Sequence, residues 1–427
     1  MISLHLTHYT TKVIMRYTLL MAMTALFSLP LPASNIDGWE ERKEKTGTEP
    51  VKNVKGEQCD EFVSEEKTEE GFLTHFLNEA LEKAMASEGD GKRAIEYGRK
   101  VTDFASAPKF GGYVVGKYAY SSKEGQSSNN GFSQRLIRMY VDGRVLNDFA
   151  YRLQVQTNNN NFHMKDFFVE WQKIPELKVK MGQFKRAFGF ENPYNPWDVG
   201  VGDYSQLTKK LAGFADYIGD ETSDNGGRDQ GFQIQGDLFP IGKDRHRLLH
   251  YQFMVANGQG INTSDNNSQK DILGTLQLQP VKGVLIGVFG WTGNYTSKSG
   301  VTVHRNRYII GTRYDRDDWT FRAEYAHSTG HKVSDKQADG SWKGNGRADA
   351  WYATFGVPFT SWLKTYVKYD VYRDDASWAS AKSIYSICPN VQLHKNLMFQ
   401  PQFNYVHDRI LEKKNYCELW CQMYFRF

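Results

Sequence analysis

Basic side chains recur at even spacing in this sequence, and this spacing indicates that they could bind anions together. Lys178 and Lys180 lie two residues apart in one segment, and Lys364 and Lys368 lie four residues apart in another. In a β-strand, side chains two or four residues apart point to the same face. A row of ammonium and guanidinium groups can replace part of the hydration shell of a small anion. The spacing therefore indicates anion binding, if strands hold these groups along one passage.

Twelve basic residues are candidates for lining such a passage and binding anions. Eight fall on the polar face of a predicted strand: Arg138, Arg152, Lys178, Lys180, Arg313, Arg322, Lys364 and Lys368. Four belong to a long, aromatic-rich connection between two strands: Lys185, Arg186, Lys209 and Lys210. Acidic residues share the polar faces, with eleven basic residues predicted to point inward against nine acidic ones. A non-selective lumen of paired charges therefore stays open beside a basic ladder.

Enzyme and cofactor motifs give no competing hypothesis. The sequence contains no H-E-x-x-H, paired C-x-x-C, G-x-S-x-G or G-x-x-x-x-G-K pattern. His407 and Asp408 are adjacent but fall at the edge of a predicted strand, where we interpret them as a solvated pair. We therefore predict neither catalysis nor a cofactor.

The composition indicates how these groups are positioned. The chain of 427 residues contains 24 Tyr, 26 Phe, 10 Trp and 38 Gly but only 12 Pro, with 40% hydrophobic residues and a mean hydropathy of -0.60. Its apolar residues mostly occur singly, at every second position, instead of in the buried runs of a water-soluble core. This pattern is typical of a β-barrel in which only the outer face is apolar.

Sixteen strands can be marked from residue 110 onward. They span roughly 110–120, 134–144, 149–157, 164–173, 176–185, 228–238, 246–257, 270–280, 282–293, 303–315, 318–328, 347–357, 362–373, 381–391, 397–407 and 416–427. Short connections such as 174–176 and 280–283 alternate with longer ones such as 186–227 and 329–346. Short turns at one end and long loops at the other predict an all-β, transmembrane, up-and-down antiparallel barrel.

The faces of the predicted strands agree with a membrane setting. In the strand 318–328, Trp319, Phe321 and Tyr325 alternate with polar residues. Such faces would aggregate in water but match lipid, and closure of the barrel leaves no edge strand unpaired. A soluble sandwich or propeller would lack the strict alternation of connections. A secreted β-rich binding protein nevertheless stays open as an alternative of a different class.

The N-terminal region has a different character. Lys12 and Arg16 precede an apolar run and small residues, which predicts a cleaved signal peptide over residues 1–34, with Met15 as the expected true start. Residues 35–109 carry 12 Lys+Arg against 18 Asp+Glu, a net charge of -6. We interpret them as an acidic periplasmic extension with a helix near 71–86, which either packs locally or self-associates.

The barrel region is mildly basic, which bears on its partners. Residues 110–427 hold 39 Lys+Arg and 31 Asp+Glu, a net charge of +8. A channel with a net positive charge favours anions. The sequence has no basic cluster or reader motif for nucleic acid, so we expect none as a partner.

A resemblance to a known family rests on two neighbouring stretches. M-G-Q-F-K-R-A-F-G-F-E at 181–191, followed by a long loop and G-F-Q-I-Q-G-D at 231–237, resembles the phosphate-selective porin O and P family of Gram-negative outer membranes. The motif can be transferred to Gly182, Gln183, Phe184, Lys185, Phe188, Gly189 and Glu191. The resemblance implies trimers of sixteen-stranded barrels in outer-membrane lipid, with the third external loop folded inward and Lys and Arg side chains guiding anions.

Together these observations predict the function of the chain. Residues 186–227 form the third external loop by our strand count, and the barrel is expected to pass small anions passively, phosphate or related oxyanions among them. A non-selective or sugar-passing porin of the same fold remains the alternative within this architecture.

Overall fold

Alternating apolar and polar side chains build the barrel that the sequence predicts. The structure is a computed structural model, and it describes residues 108–126, 128–158, 161–218 and 226–427. The predicted signal peptide and the predicted helix near 71–86 lie outside the described residues and remain predictions.

Sixteen strands occur within the described part of the chain. They are β1 Lys109–Ser121, β2 Asn130–Val145, β3 Phe149–Asn158, β4 Asn161–Ile174, β5 Leu177–Lys185, β6 Arg228–Ile241, β7 His246–Ala256, β8 Asp271–Val281, β9 Val284–Thr296, β10 Thr302–Arg316, β11 Trp319–Thr329, β12 Arg347–Pro358, β13 Leu363–Asp374, β14 Ala381–His394, β15 Leu397–Asp408 and β16 Asn415–Arg426. Each lies within a few residues of its predicted position.

The sheet closes on itself. Every strand pairs antiparallel with its neighbours in sequence, and β1 pairs with β16, with Tyr113 opposite Arg426. The last residue extends this seam, because Gly112 and Phe427 exchange two backbone hydrogen bonds of 3.0 Å. No strand edge is left open, which confirms the predicted closed, sixteen-stranded up-and-down barrel.

The two faces of the wall differ as predicted. Met181 and Phe232 point outward and are 70% and 43% exposed, whereas Gln233 and Gln235 point inward and are buried. The apolar face therefore surrounds the barrel, and the polar face borders the lumen. Among the described residues, no helix is both long and apolar enough to span a membrane.

The connections alternate in length, with one local departure. The turns 282–283 and 317–318 have two residues, whereas the connections 257–270 and 330–346 at the opposite end are long. The first external connection is shorter than the predicted 121–133, because β2 begins at Asn130. The register shifts between Val115 and Gly116 of β1, which leaves Arg135 of β2 as an additional, bulged residue.

The connection between β5 and β6, residues 186–227, is called loop 3. Its described residues, 186–218 and 226–227, fold into the barrel, as predicted, and its helix α1 (Gln206–Leu211) contacts the inner faces of β11, β12 and β13. Phe188 and Phe190 of loop 3 are fully buried and pack edge-to-face on Phe289 of β9. The aromatic residues of loop 3 thus supply the apolar core inside the barrel.

Candidate functional site

The sequence motif at residues 181–191 shapes the point where loop 3 enters the barrel. Gly182 has φ +130°, and a Cβ there would lie 2.1 Å from the Phe167 carbonyl oxygen. Gly189 also has a positive φ, +88°. Only glycine adopts such backbone conformations at low cost. Gly182 therefore lets β5 lie closely against the Phe167 backbone of β4, and Gly189 gives loop 3 a positive-φ conformation inside the barrel.

Two buried carboxylates hold the beginning of loop 3 in place. Glu324 of β11 accepts hydrogen bonds from the backbone amides of Phe190, at 2.6 Å, and Glu191, at 3.2 Å. Glu191 in turn accepts hydrogen bonds from the Ser205 amide, at 2.8 Å, and the Thr208 hydroxyl, at 2.7 Å. Ser205 is the N-cap of α1, so Glu191 ties the entry of loop 3 to its helix.

Buried ion pairs fix loop 3 to the wall at a second place. Arg186 Nη2 lies 2.8 Å from Asp229 Oδ2, and both side chains are almost fully buried. Asp216 of loop 3 contacts Arg307 of β10 at 2.5 Å and Arg305 of β10 at 3.2 Å. We call these five residues the arginine clamp. Because buried charges are costly when unpaired, the clamp strongly favours the inward position of loop 3.

An aromatic ring stands at the centre of the clamp. The guanidinium carbons of Arg186, Arg305 and Arg307 lie 5.0, 4.9 and 4.8 Å from the centroid of Trp291. Arg305 also pairs with Asp271 at 2.7 Å. The charge of Arg186, a predicted anion-binding residue, is thus neutralised within the clamp.

A large cavity opens at the end of the barrel that carries the short turns, and we call it the vestibule. Its volume is about 620 Å³, and loop 3 forms one of its walls through Tyr194 and Trp197. Six basic and three acidic residues line it: Arg152, Arg313, Arg322, Lys364, Lys395, Arg426, Asp198, Asp315 and Asp318. The lining therefore carries a formal excess of three positive charges.

A smaller inner cavity of about 70 Å³ lies beside loop 3. Five basic residues line it with a single acidic residue: Arg152, Lys180, Lys185, Arg186, Arg228 and Asp166. Arg152 and Asn195 line both cavities. Basic side chains thus continue from the vestibule toward the middle of the barrel, on the side occupied by loop 3.

Most of the twelve predicted residues have a direct acidic partner. Arg152 forms two hydrogen bonds of 2.7 Å with Asp142. The remaining ion pairs are Lys178 with Asp237 (3.3 Å), Lys180 with Glu170 (3.2 Å), Arg186 with Asp229 (2.8 Å), Lys209 with Asp203 (2.5 Å), Lys368 with Asp370 (3.7 Å) and Arg313 with Asp315. Lys209 and Lys210 lie in α1, outside the lining of both cavities. The paired lumen considered from the sequence is therefore largely present.

Four of the twelve have no carboxylate within 4 Å in the described part of the chain, and we call them the unpaired cations. Arg322 donates to the Val199 carbonyl at 2.9 Å, and Lys364 donates to the Thr320 hydroxyl at 2.9 Å. No described carboxylate therefore neutralises these two charges directly.

The other two unpaired cations lie deeper in the lumen. Arg138 Nη2 donates a hydrogen bond of 2.5 Å to the side-chain oxygen of Gln156. Lys185 donates to the Asn192 carbonyl at 2.6 Å and also to the Tyr194 carbonyl. The structure thus brings Lys185, Arg322 and Lys364 to the linings of the two cavities, whereas Arg138 lies outside both linings.

Among the basic lumen-facing residues that sequence reasoning missed, three lie where strand parity gives no signal. Arg135 reaches it because of the bulge in β2, and donates to Gln422 at 2.7 Å and Asp203 at 3.2 Å. Arg228 lies at the junction of loop 3 and β6, and pairs with Asp166 at 2.7 Å. Lys395 lies in a short turn. Strand parity signals none of these positions, although Arg228 directly precedes the second strand of the motif.

Comparison with known proteins tests the architecture. No family model matches the chain, and no curated protein matches it either. Among solved structures, an anion-selective porin from Comamonas acidovorans superposes with a TM-score of 0.56 at 13% identity, over 76% of this chain and 100% of that one. The chain has the porin fold.

Two further solved structures share this fold. The outer membrane channel DcaP of Acinetobacter baumannii matches with a TM-score of 0.52 at 12% identity, over 76% of this chain and 98% of that one. A trimer form of OmpT, an outer membrane protein of Vibrio cholerae, matches with a TM-score of 0.50 at 11% identity, over 76% and 100%. At these low identities, the likeness concerns the fold.

Proposed function

We propose that this protein is a porin of a Gram-negative outer membrane that lets small anions diffuse passively. The unpaired cations carry the proposal, together with the excess positive charge of the vestibule. An anion entering a narrow passage loses part of its hydration, and unpaired ammonium and guanidinium groups replace it. The matched porin from Comamonas acidovorans, which is described as anion-selective, supports the same direction.

The finer parts of the proposal rest on the sequence. The resemblance to the phosphate-selective porin O and P family favours phosphate or related oxyanions as solutes. It also favours a homotrimer in outer-membrane lipid, and the matched Vibrio cholerae protein is described in a trimer form. Export by a cleaved signal peptide over residues 1–34 and an acidic periplasmic extension over 35–109 complete the proposal.

Charge removal at the vestibule tests the proposed selectivity. We expect Arg322→Gln combined with Lys364→Gln to lower the anion-to-cation permeability ratio several-fold, because both side chains lack an acidic partner. The reversal potential in a salt gradient across planar bilayers measures this ratio. Lys173→Gln is the matched control, since that lysine is 62% exposed and pairs with Asp148 outside both cavity linings. An unchanged reversal potential in the double variant would remove these residues from the ion path.

The number of paired charges supports a second candidate, a non-selective or sugar-passing porin. Arg152, Lys178 and Lys180 are all neutralised by carboxylates. The two candidates differ in their response to phosphate. A selective channel shows block of its chloride current by low concentrations of phosphate, whereas a general porin shows none.

A secreted β-rich binding protein, the alternative of a different class, would behave differently from both candidates. Its barrel would remain soluble without detergent. The proposed porin should need detergent and keep its folded gel mobility until it is boiled.

The arginine clamp predicts how conductance depends on pH. Burial alone would raise the pKa of Asp216, but Arg307, Arg305 and their hydrogen bonds lower it to about 2. A free aspartate titrates near pH 4. Because the folded pKa is the lower one, the stabilisation is complete above about pH 4 and is lost as the pH falls through about 2. We expect the ratio of the single-channel conductances of Asp216→Asn and the unmodified protein to stay level between pH 7 and pH 4, because the two share every other titrating group. A change in this ratio between pH 5 and pH 6 would contradict the assignment.

A further inference from the structure

Aromatic rings back the basic residues of the vestibule. The distances from the charged group to the ring centroid are 4.1 Å for Arg322 over Tyr194, 5.3 Å for Arg313 over Tyr194, 4.3 Å for Arg426 over Trp197, 5.0 Å for Lys364 over Tyr366 and 5.3 Å for Arg152 over Tyr140. Five of the six basic residues that line the cavity are therefore stacked on a ring. Such contacts are attractive, and they place flat apolar surface directly beside each positive charge.

Two buried polar atoms, in residues that line the vestibule, lack a hydrogen-bond partner in the described part of the chain. They are the Tyr113 hydroxyl and Arg322 Nε, and their side chains are 3% and 4% exposed. Unsatisfied buried polar groups are uncommon in native structures, and a polar ligand group can satisfy them. Both residues line the vestibule, so they indicate a site for a ligand that accepts hydrogen bonds.

The size and charge of the vestibule narrow the choice of ligand. A volume of about 620 Å³ falls within the range that holds small organic ligands. Only Arg322 and Lys364 among its predicted residues lack a carboxylate partner. Inorganic phosphate has no apolar surface with which an aromatic wall could make contact. A planar monovalent carboxylate can satisfy the cations with its charged end and contact the rings with its body.

We propose that the vestibule binds organic anions with a flat aromatic body, aromatic carboxylates above all, in preference to inorganic phosphate. This rests on the proposed function, because it names the solute class of the same anion path. The driving contact is that between the solute ring and Tyr140, with smaller contributions from Trp197 and Tyr366, which are only 4% and 7% exposed. Arg322 and Lys364 hold the carboxylate.

Competition in planar bilayers tests the proposal on the unmodified protein. Benzoate, acetate and phosphate are added separately to a channel that carries chloride current, and the concentration for half-block is measured for each. We expect benzoate to block at a concentration about tenfold below that of acetate, because only benzoate brings an aromatic ring, and also below that of phosphate. Equal half-block concentrations in a channel that still prefers chloride to potassium would overturn the inference and leave the proposed function standing. A channel without preference for anions would overturn the proposed function itself.

Aromatic substitutions locate the contact. Tyr140→Leu should raise the half-block concentration of benzoate about fivefold, Trp197→Leu should raise it less, and both should leave that of acetate unchanged. Tyr385→Leu is the control, since Tyr385 lies on the outer wall and is 49% exposed. Because Trp197 packs edge-to-face on Tyr424, folding is checked by gel mobility before boiling. Should that variant fail to fold, Tyr140→Leu alone decides, and equal benzoate block in it and the unmodified channel contradicts the assignment.

Discussion

Asp216→Asn should release loop 3 from the wall of the barrel and raise single-channel conductance about twofold or more. The carboxylate of Asp216 neutralises both Arg305 and Arg307, and all three side chains are at least 95% buried. Removing one member of a buried ion pair costs about 3 to 5 kcal/mol, because the remaining charge stays buried without a partner. The clamp then loses its connection to β10, and loop 3 leaves space for ions in the lumen.

Single-channel recording and limited proteolysis measure this release. The freed loop should expose Lys209 and Lys210 to trypsin, which the folded barrel wall resists. Asp265→Asn is a matched control, because Asp265 pairs with Lys270 in a long external connection where both side chains are partly exposed. Exposed ion pairs contribute about 1 kcal/mol or less, so the control should keep its conductance. Unaltered conductance and trypsin resistance in Asp216→Asn would show that the aromatic core alone holds loop 3.

The architecture could be predicted from the sequence because each strand carries its own signal. Alternation such as Trp319, Phe321 and Tyr325 identifies both the strand and its lipid face, without knowledge of any partner strand. The strict order of short and long connections then leaves one topology, since consecutive antiparallel strands must pair. Loop 3 could be located for the same reason, as the third long connection in that order.

The sequence could predict how many charges face the lumen, but not which of them are paired. Parity gives the face on which Arg322 and Arg152 lie, but the distance to a carboxylate depends on register and on the path of loop 3. Arg152 faces Asp142 across the β2–β3 pair, whereas Arg322 lies opposite Arg313 and bonds loop carbonyls instead. A cation that a carboxylate neutralises and a cation without such a partner therefore look alike in the sequence.

Local irregularities explain the basic residues that parity missed. The bulge in β2 turns Arg135 inward although its odd number assigns it to the lipid face. A bulge depends on the hydrogen bonds of two strands at once, so no single-strand pattern reveals it. The family-like motif had a clearer meaning in the structure, where Gly182 and Gly189 adopt positive φ and Glu191 ties the entry of loop 3 to α1.

Gly182→Ala should strongly destabilise the barrel. Its φ of +130° lies in a region that residues with a Cβ rarely adopt, and the added carbon would meet the Phe167 carbonyl oxygen at 2.1 Å. That oxygen belongs to β4, which pairs with β5 at this point, so the clash cannot be relieved by a side-chain rotation. Either the β4–β5 register or the direction in which loop 3 enters the lumen must change, at a cost of about 3 kcal/mol or more.

The comparison with Gly116→Ala isolates this backbone effect. Gly116 lies in β1, where a Cβ would meet nothing within 4 Å. Both variants add one methyl group to a strand glycine, but only Gly182→Ala adds it at a positive φ and against a neighbouring backbone. We expect Gly116→Ala to refold in detergent like the unmodified protein, and Gly182→Ala to lose the heat-modifiable gel band and unfold at lower urea concentration. Equal refolding yields and equal urea midpoints for both would mean that β5 tolerates a side chain at residue 182, against the expectation from its φ and its contact with β4.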